Sequence, residues 1–73
     1  MGNHFMDEEV LNMEVRKFLK KVGIRSQREV EHAVKDHLKK GSLSGIEQLN
    51  ATMTLEVPEI DLKVSINSTI DIQ

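Results

Sequence analysis

Three histidines, a handful of serines and twelve acidic residues supply all the candidate catalytic groups of this 73-residue chain. Cysteine, tryptophan and tyrosine are absent. A zinc pair on a helix wants histidines four apart, so that both point the same way. His32 and His37 are five apart, which turns them about 140° from one another around a helix. Asp36 offers His37 no shared face, and His4 lies in a different segment. All three imidazoles read as surface or boundary residues. Nucleophilic catalysis needs a hydroxyl beside a base. Ser42 and Ser44 sit in Gly41-Ser42-Leu43-Ser44-Gly45, which is neither a nucleophile elbow after a strand nor a phosphate loop ending in Gly-Lys-Ser/Thr. Asp61 and Asp71 fall on outward positions of a strand pattern, where carboxylates are solvated. No catalytic, cofactor-binding or metal residue is assigned, no cofactor is expected, and the chain is not expected to be an enzyme.

One cluster is suited to binding. Arg16, Lys17, Lys20, Lys21, Arg25 and Arg28 place six positive charges within thirteen residues. Such a run can track phosphates, which makes these six the candidate nucleic-acid contacts. Helix–loop–helix followed by a hairpin is also similar to a truncated winged helix. Against this stand the missing third helix, Glu29 and Glu31 on the reading helix, and the lack of aromatics for stacking on single strands. The plain alternative is a solvated helix face.

The elements that would position these groups are legible in the apolar spacing. Leu11, Val15, Phe18, Leu19 and Val22 recur at helical intervals and predict a first helix over Asp7–Val22. Acidic residues open it and Lys20-Lys21 close it, both favourable to the helix dipole. Gly23 then supplies a left-handed stop. Ser26-Gln27-Arg28-Glu29 has the form of a capping box, with the Ser26 hydroxyl accepting from the Glu29 amide. That predicts a second helix over Gln27–Lys40, with Val30, Ala33, Val34 and Leu38 as its apolar face. The six cations would then surround a helix–helix corner.

From Ala51 the period falls to two. Met53, Leu55 and Val57 alternate with polar residues, as do Ile60, Leu62, Val64 and Ile66. With Pro58-Glu59 as the loop of a hairpin, Val57 faces Ile60, Leu55 faces Leu62, Met53 faces Val64 and Ala51 faces Ile66. Every apolar residue then lies on one face. Pro58 excludes a type I′ turn, because its φ is fixed negative. Asn67-Ser68-Thr69 reads either as a second turn before a strand at Ile70–Ile72 or as a bulge in one long strand. One core is expected from Leu11, Val15, Phe18, Val22, Val30, Val34, Leu38, Leu55, Leu62 and Val64.

Composition bounds the class. The chain is too short for two cores and is 38% hydrophobic and 30% charged, as folded domains are. Disulfides and thiolate metal sites are excluded without cysteine. Residues 1–41 carry nine Lys/Arg and seven Asp/Glu, a net of +2, whereas residues 42–73 carry one Lys and five acids, a net of −4. No apolar run reaches the roughly 20 residues of a membrane span, and no signal peptide is visible. A cytoplasmic protein without membrane partners is expected. Residues 1–5 read as a loose flexible segment ahead of a single domain over 6–73, with Met6 as a second start.

Leu11 to Glu31 resembles the opening of a family of small bacterial proteins built on a domain of unknown function. Its signature, N-M-x-x-R-K-F-L-K-x-V-G-x-x-S-Q-R-E, is met from Asn12 to Glu29. The resemblance implies a bacterial source and a self-contained domain with a β-rich second half, and it assigns no functional residue.

The reading as a whole is a two-layer α+β domain. Two N-terminal helices pack on a C-terminal antiparallel hairpin or three-stranded meander. A core this small, with one sheet edge guarded only by Lys63 and Pro58, favours a homodimer. The expected function is a non-catalytic protein interaction or assembly module with an unidentified protein partner. The alternative is a nucleic-acid-binding accessory protein.

Overall fold

Asp7 opens the structure. Its carboxylate accepts hydrogen bonds from the Glu9 amide at 3.0 Å and the Val10 amide at 3.2 Å, two donors that a helix start leaves orphaned. This is a computed structural model, and it describes residues 6–73. The loose segment expected over residues 1–5, and His4 within it, lie outside the described residues. The chain divides into two units, Met1–Ser42 and Leu43–Gln73.

The first unit is one helix, α1, running unbroken from Glu8 to Lys39. The two expected helices are corrected to one. No turn occurs over Gly23–Ser26, and Ser26 is an interior helical residue instead of a cap. The reason is visible in the side chains. The Arg25 guanidinium binds Glu29 at 3.2 Å, and the Gln27 amide donates to Glu31 at 3.2 Å. Both are i,i+4 helical pairs, and the first forms only if the helix continues through Arg25 and Ser26. Glu29 is thereby drawn to Arg25 and not back to Ser26. Gly23 disfavours an interior helical site by about 1 kcal/mol, too little to stop a helix that is stitched on both sides.

At about 100° per residue, Leu11, Val15, Phe18, Leu19, Val22, Ser26, Val30 and Ala33 fall within an arc of about 120°. Glu29 and Asp36 share that arc, their carboxylates held by Arg25 and Lys40. Leu11, Val22 and Ala33 stand eleven apart, as do Val15, Ser26 and His37. The stripe therefore crosses the expected break without a change of phase. The expected core has no fully buried member; Phe18 keeps 50% of its surface exposed. The helix that was to cover Phe18 is the continuation of the same helix, which cannot fold over itself.

Gly41 ends α1. With φ +74°, it donates to the Leu38 carbonyl at 3.1 Å while Ser42 donates to His37 at 3.1 Å, a Schellman closure.

The second unit is a hairpin of β1 (Gln48–Val57) and β2 (Leu62–Asp71). A turn precedes it, in which Ile46 donates to Leu43 at 3.1 Å and Gly45 takes φ +81°. The strands pair without a break from Val57 opposite Leu62 to Gln48 opposite Asp71. Asn67, Ser68 and Thr69 pair with Thr52, Ala51 and Asn50, so they form neither a turn nor a bulge. The three-stranded alternative is corrected to two strands. Once Ser68 can pair with Ala51 on the apolar side and Asn67 with Thr52 on the polar side, nothing forces the chain to turn.

The pairing differs from the expected register by two residues. Leu55 lies opposite Val64 and not Leu62, and Met53 lies opposite Ile66. Pro58 is the cause. It cannot enter a two-residue primed turn, so Pro58–Ile60 makes a single 3-10 turn and Asp61 closes the loop at φ 51°. Ile60 thereby leaves the strand for the loop tip, 67% exposed. Because the shift is even, each side chain keeps its face. One face carries Leu49, Met53, Leu55, Val57, Leu62, Val64, Ile66 and Ile70. The other carries a polar ladder, with Gln48–Asp71 at 2.9 Å, Thr52–Asn67 at 2.8 Å and Thr54–Ser65 at 3.2 Å.

Candidate functional site

The six cations singled out by sequence all stand on α1. They surround no corner between helices, since the corner does not exist. From Val15 to Arg28 the helix carries these six and no acidic residue. The distance from Arg16 to Arg28 is about 18 Å along the axis at 1.5 Å per residue. Around the axis they occupy the half of the helix opposite the apolar stripe, with Arg16 and Arg25 at its two borders and Lys17, Lys20, Lys21 and Arg28 between them. Lys17, Lys20, Lys21, Ile24, Arg25 and Arg28 line one open surface hollow together with Glu14 and with Phe18 and Val22 of the apolar stripe. Met13, Arg16, Lys17 and Lys20 line a second beside it.

Two of the six are already paired. Lys17 reaches Glu14 at 3.2 Å and Arg25 reaches Glu29 at 3.2 Å. Side chains of these pairs are at least 58% exposed, so each contributes little to stability. Arg16, Lys20, Lys21 and Arg28 make no ion pair among the described residues. Glu31, one of the two acids expected to repel phosphate, accepts from Gln27.

The other polar candidates are scattered. The His37 ring donates through Nδ1 to the Ala33 carbonyl at 2.9 Å, and His32 lies about 140° away around the helix. Ser42 belongs to the Schellman closure and Ser44 to the turn after it. Asp61 closes the hairpin loop, and Asp71 accepts from Gln48. Among the described residues, no group of three His, Asp or Glu side chains is arranged to hold a metal ion. No helix among them is long and apolar enough to cross a membrane.

Sequence reasoning missed Ile24 and Met13, which lie between the cations, because neither falls in the apolar stripe. It also missed Ser26 as a member of the stripe. The signal was available in the spacing Val22–Ser26–Val30, one turn at each step.

A model for a family of unknown function, DUF6494, matches residues 6–73. No curated protein and no solved structure matches the chain.

Proposed function

We propose that this chain, which belongs to the DUF6494 family, is a non-catalytic assembly module whose working form is a homodimer. The observation that carries the reading is the stripe on α1. It is a largely apolar seam, about 40 Å from Leu11 to His37 at 1.5 Å per residue, interrupted by Ser26, Glu29 and Asp36, and no side chain in it is fully buried. Contiguous exposed apolar surface of this kind marks an interaction site.

A second copy fits the seam when the two helices run antiparallel about Ile24. Leu11 then meets His37, Val15 meets Ala33, Phe18 meets Val30 and Val22 meets Ser26. Phe18 and Val22 thus face smaller side chains, and Leu19 meets Glu29, whose carboxylate is held by Arg25. Glu8 and Glu9 meet Lys40 and Lys39, so opposite charges close both ends. A parallel pair would set the acidic ends together and stack Phe18 on Phe18. In this reading the apolar layers of the domain are completed between copies.

Sedimentation equilibrium over a hundredfold concentration range tests the proposal. The expected result is a mass rising from 8.3 kDa toward twice that value, with Phe18→Ala moving the transition to higher concentration. A constant mass of 8.3 kDa into the high micromolar range would end it.

A further inference from the structure

Between Val15 and Arg28 the unpaired cations of α1 form two rows. At about 100° per residue, Arg16 and Lys20 stand on one side of a line through Met13 and Ile24, and Lys21 and Arg28 stand on the other. The line itself holds only Met13 and Ile24 before Glu31, to which Gln27 donates; Lys17 stands about 20° to the Lys21 and Arg28 side of Ile24, with its ammonium drawn to Glu14. Glu14 and Glu29, the acids bordering the run, are held by Lys17 and Arg25.

Two rows of positive charge separated by an uncharged strip match a channel with two negative walls. The major groove of B-form DNA is such a channel. It is about 12 Å wide and admits one helix about 10–12 Å across, with a phosphate strand on either side. The groove of A-form RNA is too narrow for this. We propose that α1 lies in the major groove of duplex DNA, with Arg16 and Lys20 on the phosphates of one strand and Lys21 and Arg28 on those of the other. Binding is sequence-tolerant, because Met13 and Ile24 present no hydrogen-bonding group to the base edges. Lys20, Lys21 and Arg28 lie about 120° or more from the midline of the apolar stripe and Arg16 about 100°, while Arg25, about 80° from it, is held by Glu29. An anionic membrane would need its cations along the stripe's borders, where the stripe inserts. DNA uses the opposite face and leaves the stripe free for a second copy. The inference stands apart from self-association, since a monomer that bound in this way would leave it intact.

The test is fluorescence anisotropy with a labelled 20-base-pair duplex of arbitrary sequence, titrated with the full chain between about 50 and 200 mM salt. Four phosphate contacts per bound chain predict a slope of log K against log salt of about −3.6, a loss of about 150-fold across that range. Lys20→Gln with Lys21→Gln should make the slope shallower by about 1.8. Lys40→Gln with Lys63→Gln removes the same charge outside the two rows and should leave the slope unchanged. If circular dichroism shows that the first double variant has lost helix, Lys20→Gln alone serves, with a change of about 0.9. No binding at the lowest salt, a slope shallower than about −2, or equal losses in the two double variants would overturn the proposal. So would tighter binding to vesicles of equal parts phosphatidylglycerol and phosphatidylcholine than to the duplex.

Discussion

Arg25 and Glu29 are joined by a 3.2 Å ion pair one turn apart, across the segment where the spacing of Gly23 and Ser26 predicts a break. An ion pair at this exposure contributes only a few tenths of a kcal/mol. Its importance is geometric, because the Glu29 side chain that a capping box would turn back toward Ser26 is turned forward along a continuous helix.

The two glycines of α1 and its closure should therefore respond oppositely to alanine. A Cβ at Gly23 meets nothing within 4 Å, and the backbone there is helical. Gly23→Ala should stabilise the helix by about 1 kcal/mol. Gly41 has φ +74°, where a Cβ is strained, so Gly41→Ala should cost about 1–2 kcal/mol. Thermal unfolding followed by far-ultraviolet circular dichroism reads both. A loss of stability in Gly23→Ala would return Gly23 to the role of a helix stop.

Asp7 and Ser26 separate in the same way. Asp7 accepts from two amides at the helix start, so Asp7→Ala should cost about 1 kcal/mol. Ser26 caps nothing, and Ser26→Ala should be neutral or mildly stabilising, by up to about 0.5 kcal/mol. Urea denaturation of the two variants beside the parent chain makes the comparison. Equal destabilisation by both would contradict the single helix.

In the hairpin loop, Asp61 occupies the left-handed region at φ 51°. Aspartate and asparagine tolerate that region and β-branched residues do not. Asp61→Asn should leave stability within about 0.5 kcal/mol, whereas Asp61→Val should cost about 1–2 kcal/mol. Proton contacts measured by nuclear magnetic resonance should link Leu55 with Val64 in the parent chain, and a direct Leu55–Leu62 pairing would contradict the four-residue loop.

The antiparallel seam can be tested with introduced thiols, each of which is unique because the chain has no cysteine. Chains carrying Leu11→Cys mixed with chains carrying His37→Cys should form a disulfide under mild oxidation. Leu11→Cys chains alone should not, because their sulfurs would lie about 39 Å apart along the axis. Efficient cross-linking of Leu11→Cys alone would show a parallel pair.

Much of this fold is legible in the sequence. Asp7 and Gly41 mark the ends of α1 within a residue, and the period-two pattern assigns the hairpin faces correctly. The errors share a physical origin, since local signals were read where longer-range consistency decides. Ser26 and Glu29 have the spacing of a cap, but that same spacing occurs inside any helix. What decides is the i,i+4 partner of Glu29 on the N-terminal side, Arg25, together with a stripe that keeps its phase across Gly23–Ser26. At the hairpin, alternation fixes parity but not register, so a two-residue slip leaves Leu55 and Val64 on the apolar face and is invisible to the pattern. Only the φ of Pro58 distinguishes the two. The basic run was legible as a list of residues. Its division into two rows was not, because placing Arg16 and Lys20 opposite Lys21 and Arg28 requires one continuous helix.

The eleven-residue spacing of Leu11, Val22 and Ala33 has a bearing on handedness. A seven-residue repeat falls short of two full turns of a straight helix, so partners must wind around each other to the left. Eleven residues make three turns at about 3.67 residues each, slightly more than the 3.6 of a free helix. A seam of this kind drifts the other way and by less. Two copies of α1 pressed together along it would lie nearly straight, with a shallow right-handed wind.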